Sequence, residues 1–469
     1  MSAESSPPKR RIYLNGFDMF TVGHLSFGQW KNPSDRSATK RRDLSYWTNL
    51  AQLLEKGDFN ALFLADTYGL YDTYKGTAEP AIRNGAQYPM GDPSIVTNLR
   101  NGIGHQNLGF AITTSTSYEA PYVVAKRFST LDHLTGGRFG WNIVTSWKES
   151  AAKAVGLPLV DHDKRYEIAD EYLTSLYKAV GPMTLSQENA ETGVYADPSR
   201  INYIHHHGEH FKFDGPHILD PSPQRTPFLF QAGTSPAGVA FGAKHAEGIF
   251  VSAPSPHILA PRIKAIREEA ARLGRDPKSV KVFAILTPIV GRTDEEAQEK
   301  YREALKYASE EAGLAFFSGG TGIDLSRIDL DTPITASDVH VDARVHSTIN
   351  TLSYQSPDVP EWTPRNIGKH ISIGGAGPVP VGSASTVADF LEEWVRVADL
   401  DGFNIGYVQT PGTFEDVVEL LVPELRRRGV YAPQGESGTM RERVYGPGQK
   451  RLREDHVGRK YGYEVYDGQ

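Results

Sequence analysis

Short apolar runs alternate with amphipathic segments through most of this 469-residue chain. Residues 61–65 form an uninterrupted apolar run typical of a buried strand, whereas residues 43–56 repeat tryptophan and leucine at helical spacing. Strands that alternate with helices in this order predict repeated strand–helix units that build a parallel sheet.

Eight such strands are expected along the chain. They cover residues 11–17, 61–65, 107–114, 138–144, 227–232, 248–252, 280–290 and 402–408. Helical patterns separate them at residues 43–56, 121–131, 166–180, 236–244, 256–273, 294–307 and 385–398. Eight strands with right-handed crossovers favour an α/β fold of the closed (β/α)8 TIM barrel type, and an open doubly wound sheet is the alternative.

Two segments are too long for ordinary loops and read as insertions. Residues 183–226 are rich in His, Pro and Gly, and residues 311–384 are rich in Gly, Ser and Pro. We therefore expect one barrel domain over residues 12–435 with insertions near 183–226 and 311–384. Residues 1–11 would form a flexible N-terminal tail, and residues 436–469 a C-terminal extension.

Composition narrows the function. A net charge of -7 argues against nucleic-acid or membrane partners and leaves a small molecule as the expected ligand. The chain has no cysteine, which excludes disulfide frameworks, iron–sulfur clusters and thiol nucleophiles, so redox chemistry would need a borrowed cofactor. The N-terminus carries no apolar signal region, and no apolar run is long enough to span a membrane, so we expect a cytoplasmic protein.

Polar residues end four of the predicted strands, where a barrel enzyme builds its active site. They are Asp66, the Thr113–Thr116 run, the segment from Asn142 to Ser146 that includes Thr145, and the segment from Gln231 to Ser235. Any one of them alone is more often a helix cap or a turn. Four such strand ends together favour a site.

Two short patterns suit an anion. Gly233-Thr234-Ser235 lies between a strand and Pro236 at a first helical position, an arrangement that presents backbone N–H groups to a phosphate. His162 and Tyr166 are four residues apart, so in a helix they would share one face and reach a common anion. An exposed capping turn is the equally weighted alternative for this pair.

A histidine-rich run at residues 204–210 resembles a zinc site at first sight. Phe211 and Phe213 follow it, and Asp214-Gly215-Pro216 closes it like a turn. Neighbouring side chains on a strand point to opposite faces. We therefore expect a solvated hairpin here, and no metal site.

Several segments together resemble one known family. They are Gly23-His24, Trp30-Lys31-Asn32-Pro33, Phe63-Leu64-Ala65-Asp66, residues 129–138, residues 140–146, His162-Asp163-Lys164-Arg165-Tyr166, residues 221–227, Gln231-Ala232-Gly233-Thr234-Ser235, and residues 422–429. In these segments the chain is similar to the bacterial luciferase-like, reduced-flavin-dependent two-component monooxygenases, in the branch of the nitrilotriacetate, dibenzothiophene-sulfone and dimethyl-sulfide enzymes. Lys31 departs from the arginine that the family usually has after this tryptophan.

The resemblance implies a barrel that binds FMN as FMNH2, with O2 as co-substrate, and oxygenates a small organic molecule at sulfur, nitrogen or carbon. A separate NAD(P)H:flavin reductase would supply the reduced flavin, and the protein would assemble as a dimer or tetramer. The implied cofactor-binding residues are Asp66, Thr113, Asn142, Thr145, His162, Tyr166, Gly233 and Ser235, with His162, Tyr166 and Ser235 on the phosphate. His24 and Asn142 are the implied catalytic hydrogen-bond donors.

Two other functions fit the same fold. A deazaflavin-dependent oxidoreductase would use a different cofactor on the same barrel. A flavin-binding barrel protein without turnover would keep the phosphate residues but lose oxygen activation.

Overall fold

Eight strands pair edge to edge in a closed ring in the computed structural model, which describes residues 9–93, 107–181, 191–198, 201–334 and 362–462. They are β1 (Tyr13–Met19), β2 (Ala61–Ala65), β3 (Gly109–Ser115), β4 (Phe139–Val144), β5 (Phe228–Gln231), β6 (Gly248–Val251), β7 (Lys281–Leu286) and β8 (Gly402–Ile405). Each strand is parallel to the next, and β8 pairs with β1 to close the sheet. The predicted (β/α)8 TIM barrel is confirmed.

Helices connect the strands. The α-helices are Ser37–Lys40, Leu44–Lys56, Glu79–Asn84, Pro121–Thr135, Glu149–Ala154, His162–Val180, Pro236–His245, Pro256–Arg272, Asp294–Leu305, Glu310–Thr321, Pro364–Ser372, Ala384–Ala398, Gly412–Asp416, Val422–Arg427 and Met440–Tyr445. Short 3-10 segments cover Gln29–Lys31, Tyr74–Gly76, Pro277–Ser279, Leu325–Arg327 and Val457–Tyr461, and Val417–Leu421 is a π-helical segment. None of the described helices combines the length and apolar composition needed to cross a membrane.

Aromatic side chains fill the inside of the barrel. Phe63, Phe230, Phe250 and Phe283 are almost completely buried, and the ring centroids of Phe63 and Phe250 lie 4.4 Å apart. Full burial of one such side chain stabilises a fold by about 1.5–3 kcal/mol. The interior is therefore a packed core, and a ligand site must lie at an end of the barrel.

The segment after residue 435 completes this core. The helix Met440–Tyr445 places Met440 against the barrel interior, where its side chain meets the positions at which Gly109 and Gly140 would carry a Cβ. Arg441 is fully buried and donates from Nε and Nη2 to the carboxylate of Glu247, at 2.7 and 2.9 Å. The region that the sequence suggests is an extension thus contributes to the barrel itself.

The N-terminal tail is shorter than the sequence suggests. Arg10 donates to Asp399 at 2.5 Å and to Asp401 at 3.0 Å, and Arg11 is paired with Glu436. The Ser/Pro-rich composition of the first residues does not reveal these partners, which lie about 390 and 425 positions away in the sequence. Arg10 and Arg11 are therefore held against the barrel domain; residues 1–8 lie outside the described part.

The histidine-rich run forms the expected hairpin. Strands Tyr203–His207 and Lys212–Pro216 are antiparallel. His206 is buried, whereas His205 and His207 are exposed and both contact Asp214, at 2.7 and 2.8 Å. The alternation of faces predicted from the sequence is confirmed. Residues 182–190 and 199–200 of this insertion lie outside the described part.

Two helices of the second insertion pack on each other near the mouth of the barrel. Glu310–Thr321 and Pro364–Ser372 approach closely, since a Cβ on Gly313 would lie 2.6 Å from the carbonyl oxygen of Gly368. Their apolar side chains form a second core with the segment between β2 and β3, to which Tyr71 belongs. Residues 335–361 lie outside the described part of the chain.

The buried ion pair allows a stability test. Replacing Arg441 by methionine leaves the Glu247 carboxylate buried without its cation, so Arg441→Met should lower the free energy of unfolding by about 3–5 kcal/mol in urea titrations. Arg83→Met, which breaks an exposed pair with Glu79, is the matched control and should leave the unfolding midpoint nearly unchanged. Equal effects of both variants would contradict this account of the barrel's closure.

Candidate active site

A cavity of about 470 Å³ opens at the carboxyl ends of the strands. Its polar lining comes from the ends of β2, β3, β4 and β5 and includes Asp66, Thr113, Ser115, Thr145, Ser146, Gln231 and Gly233. Its apolar lining includes Phe17, Met19, Leu25, Ile143, Val144 and Phe316. Such a volume, mainly apolar with a few polar groups, is typical of a small-molecule site.

The N-termini of two helices meet beside this cavity. His162 is the first residue of the helix His162–Val180, and Ser235 is the N-cap of the helix Pro236–His245. The His162 Nε2 and Ser235 Oγ atoms are 3.2 Å apart, and Ser235 Oγ accepts a hydrogen bond from the Gly238 backbone at 3.1 Å. Both helix dipoles therefore favour an anion here.

Tyr166 belongs to the same cluster. Its ring centroid lies 5.3 Å from that of His162, one turn earlier on the same helix. Burial raises the pKa of the Tyr166 phenol. Hydrogen bonds with the Ser235, Thr145 and Gln231 side chains act in the opposite direction and offset only part of this effect. The hydroxyl therefore stays protonated at neutral pH and can donate to an anion.

Gly233 is needed in this cluster because there is no room for a side chain. A Cβ on Gly233 would lie 2.4 Å from Tyr166 Oη and 2.3 Å from Gln231 Nε2. The backbone of Gly233 thus comes close to the hydroxyl and amide groups that line the cavity.

Asp66 and Thr113 line another part of the cavity, at the ends of β2 and β3. Asp66 accepts a hydrogen bond from the Thr67 backbone at 2.8 Å. Burial raises the pKa of the Asp66 carboxyl to about 7, helped by the negative charges of Asp92 and Glu119. Asp66 therefore exchanges a proton near neutral pH.

Asn142 is not among the residues that line the cavity. Its Nδ2 donates to Thr113 Oγ1 at 2.9 Å, and its buried Oδ1 has no hydrogen-bond partner in the described part of the chain. Asn142 is therefore linked by a hydrogen bond to Thr113, whose side chain lines the cavity.

His24 lies in the wall of the cavity and is buried. Its ring packs edge-on against Phe17 with centroids 4.5 Å apart, and Nδ1 has no hydrogen-bond partner among the described residues. Burial lowers the pKa of His24 to about 3, so the imidazole is neutral at physiological pH. It can form hydrogen bonds with a ligand but brings no positive charge to it.

Sequence reasoning missed one wall of the cavity, formed by Tyr71, Gln87, Lys148 and Phe316. Tyr71 Oη donates to Gln87 Oε1 at 2.7 Å, and Gln87 Nε2 donates to the His24 carbonyl at 3.2 Å. Tyr71 and Gln87 lie in the long segment after β2, which has no periodic pattern, and Phe316 lies in an insertion. Lys148 had a usable signal, because it follows the end of β4 by four residues.

The structure thus brings most of the predicted site residues to one place. Asp66, Thr113, Thr145, Tyr166, Gly233 and His24 line the cavity, and His162 and Ser235 meet at its edge.

Comparison with known proteins gives the family. The model of the luciferase-like monooxygenases matches residues 24–400, which include every predicted site residue. The chain belongs to the luciferase-like monooxygenase family.

Individual relatives match over almost the whole chain. The dimethyl-sulfide monooxygenase of Hyphomicrobium sulfonivorans is 41% identical over 97% of this chain and 94% of its own length. The long-chain alkane monooxygenase of Geobacillus thermodenitrificans is also 41% identical, over 96% of this chain and 98% of its own. The crystal structure of a riboflavin lyase with modified FMN and riboflavin has a TM-score of 0.87 and 34% identity, covering 97% of this chain and 100% of its own.

Family membership fixes the class of reaction: the chain is an oxygenating enzyme. The recognition of this branch from the sequence segments is confirmed, as is the luciferase-like barrel.

The raised pKa of Asp66 predicts how stability depends on pH. The folded protein keeps a proton on Asp66 that the unfolded chain releases near its ordinary pKa of 3.8, so ionisation reduces stability as pH rises from about 4 to 7. Asp66→Asn removes this loss. The stability advantage of the variant should therefore grow over this pH range and level off above it, measured by urea unfolding at a series of pH values.

Asp72→Asn is the matched control, since Asp72 is exposed on the same segment. This variant shows how far the loss of one exposed carboxylate by itself changes stability. Parallel stability curves for wild type and Asp66→Asn would show that the Asp66 carboxyl titrates normally.

Proposed function

We propose that this monooxygenase uses reduced FMN and O2 to oxygenate a small organic substrate, and that a separate NAD(P)H:flavin reductase supplies the FMNH2. The observation that carries the proposal is the convergence of two helix N-termini at the cavity edge, where Tyr166 joins His162 and Ser235. A phosphorylated ligand whose remainder fills the cavity suits this arrangement.

The residues present fit FMN in two respects. Because Gly233 has no side chain, its backbone lies close to the Tyr166 hydroxyl, so both groups could face one phosphate. Buried polar atoms at Gln231 Oε1 and His24 Nδ1 have no protein partner in the described part of the chain. Unpaired buried polar atoms are costly, so they indicate a polar ligand.

Three residues would hold the phosphate. Tyr166 would donate from its hydroxyl, Ser235 would offer its hydroxyl at a helix N-terminus, and His162 would donate from Nε2. The Gly233 backbone lies in the same corner. Asp66, Thr113 and Thr145 line the cavity beyond it and would contact the rest of the cofactor.

Reduced FMN, when bound, supplies the electrons that activate O2. His24 and Asn142 are the proposed catalytic donors. His24 would act as a neutral imidazole, which offers one N–H donor and no positive charge. Asn142 would act from beside Thr113, with which it shares a hydrogen bond.

Apolar walls exclude water from the same space. Met19, Ile143 and Val144 belong to the barrel strands or their ends, and Phe316 comes from the helix Glu310–Thr321. Excluding water favours oxygen transfer to the substrate over side reactions.

Oxygen transfer is tested with the complete reaction. The protein is incubated with FMN, NADH, a generic flavin reductase and panels of sulfides, sulfones, amines and alkanes under 18O2, and products are analysed by mass spectrometry. We expect one labelled oxygen atom in a product, and none when the reductase is left out. Bound flavin with no product from any panel would favour a flavin-binding protein without turnover.

Variants test the residues proposed to hold the phosphate. Tyr166→Phe and Ser235→Ala should each weaken FMN binding by about 1–2 kcal/mol, because each removes a hydrogen bond to a charged group. Thr293→Ala is the control for loss of a helix cap, since Thr293 caps the helix Asp294–Leu305 away from the cavity through a 3.2 Å bond to the Glu296 backbone. FMN affinity unchanged in both cavity variants would refute the placement.

Delivery by a separate reductase predicts a difference between flavin states. The protein must capture the reduced form and release the oxidised form, so FMNH2 should bind more tightly than FMN in anaerobic fluorescence titrations. Equal affinity for the two forms would count against this exchange.

A further inference from the structure

Lys148 is a buried lysine in the cavity wall whose ammonium group has few hydrogen-bonding partners. Only 6% of the residue is exposed, and Nζ donates to the Gly69 carbonyl at 3.1 Å. The same atom lies 3.5 Å from the centroid of the Tyr71 ring. Among the described residues, no carboxylate forms an ion pair with it. One N–H is thus used on the carbonyl and the ammonium faces the Tyr71 ring, which leaves N–H capacity for a ligand.

The surroundings of Lys148 lower the pKa of its ammonium group. Burial lowers the pKa of the Lys148 ammonium to about 7, and the carboxylates of Asp72 and Asp66 act in the opposite direction from a distance. A bound negative charge would offset the burial and restore the charged form. The lysine therefore gains its missing partner when an anion occupies the cavity.

The neighbours of Lys148 in the cavity are mainly apolar. Tyr71, Trp147 and Phe316 line the same space, and Tyr71 packs on Phe316 with ring centroids 5.1 Å apart. A ligand here would place an apolar body against these rings and an acceptor group against Nζ. A pure hydrocarbon would instead leave the ammonium under apolar surface without a counter-charge.

Lys148 is separate from the three residues proposed to hold the FMN phosphate. Its contacts are with Gly69 and Tyr71 on the segment after β2, whereas Tyr166 and Ser235 join the two helix N-termini. An anion at Lys148 would therefore be a second negative group in the cavity, in addition to the FMN phosphate.

We propose that Lys148 determines substrate specificity by binding an oxyanion, so that the substrate is a small organic sulfonate or carboxylate whose apolar part packs against Tyr71 and Phe316. The assignment rests on the proposed function in one respect: it takes the ligand at Lys148 to be the substrate that is oxygenated.

Binding of probe anions to the flavin-free protein tests this directly. 1-Butanesulfonate and pentanoate are titrated by calorimetry, with butyl methyl sulfone as the uncharged counterpart of the sulfonate. At least one anion should bind to the wild type, and the sulfone should bind more weakly. Lys148→Met should weaken anion binding about 10- to 100-fold, the size expected for one charge-assisted bond.

Two further variants control for charge and folding. Lys148→Arg keeps a cation and should retain most of the anion affinity. Lys153→Met removes an exposed lysine of the next helix, paired with Glu149 at 3.1 Å, and should bind like wild type. Equal anion affinity in wild type and Lys148→Met, no binding of either anion to the wild type, or a sulfone that binds as tightly as the sulfonate would each overturn the proposal.

A parallel FMN titration separates this proposal from the proposed function. FMN affinity should be the same in wild type and Lys148→Met. A loss of FMN affinity in Lys148→Met would show that the lysine contacts the flavin and would overturn the substrate assignment. Lys148-dependent anion binding in a protein that binds no flavin in either state would support the anion site and refute the flavin function.

Discussion

Closure of the parallel sheet into a ring determines where a ligand site can form. Each strand pairs in parallel with both neighbours, so all eight carboxyl ends surround one opening. Rings such as Phe63 and Phe250 fill the interior, and Met440 and Arg441 complete the core from the C-terminal segment. The cavity can therefore form only at an end of the barrel. The two helices that begin at His162 and Pro236 then direct their N-termini to its edge.

Burial in that cavity shifts the pKa values of three ionisable groups, each in the direction that favours the neutral form. It lowers the pKa of His24 to about 3 and that of Lys148 to about 7, and it raises the pKa of Asp66 to about 7. Each shift favours the neutral form, as expected where water is scarce. A site of this kind holds hydrogen-bonding groups without strong fixed charge and leaves the charge to be supplied by ligands. This suits chemistry in which a cofactor brings the electrons and the protein excludes water.

Much of the barrel could be predicted from the sequence because its signals are local. Apolar runs mark the strands, and Pro236 after Ser235 marks a helix start. The spacing of His162 and Tyr166 also predicted their contact, because it is one helical turn. The missed features depend on distant parts of the chain: Arg10 finds partners about 390 residues away, and Tyr71 and Phe316 meet only when an insertion folds over the cavity. The resemblance places Asn142 beside the cofactor; in the structure its amide donates to Thr113, which lines the cavity.

In the proposed function, the junction of His162, Tyr166 and Ser235 holds the phosphate of a flavin. The decisive measurement compares the affinities of the wild-type protein for reduced FMN and for reduced riboflavin, which differ only in that phosphate. We expect FMNH2 to bind much more tightly than reduced riboflavin. Equal affinities would show that the junction makes no contact with the phosphate and would contradict the claim.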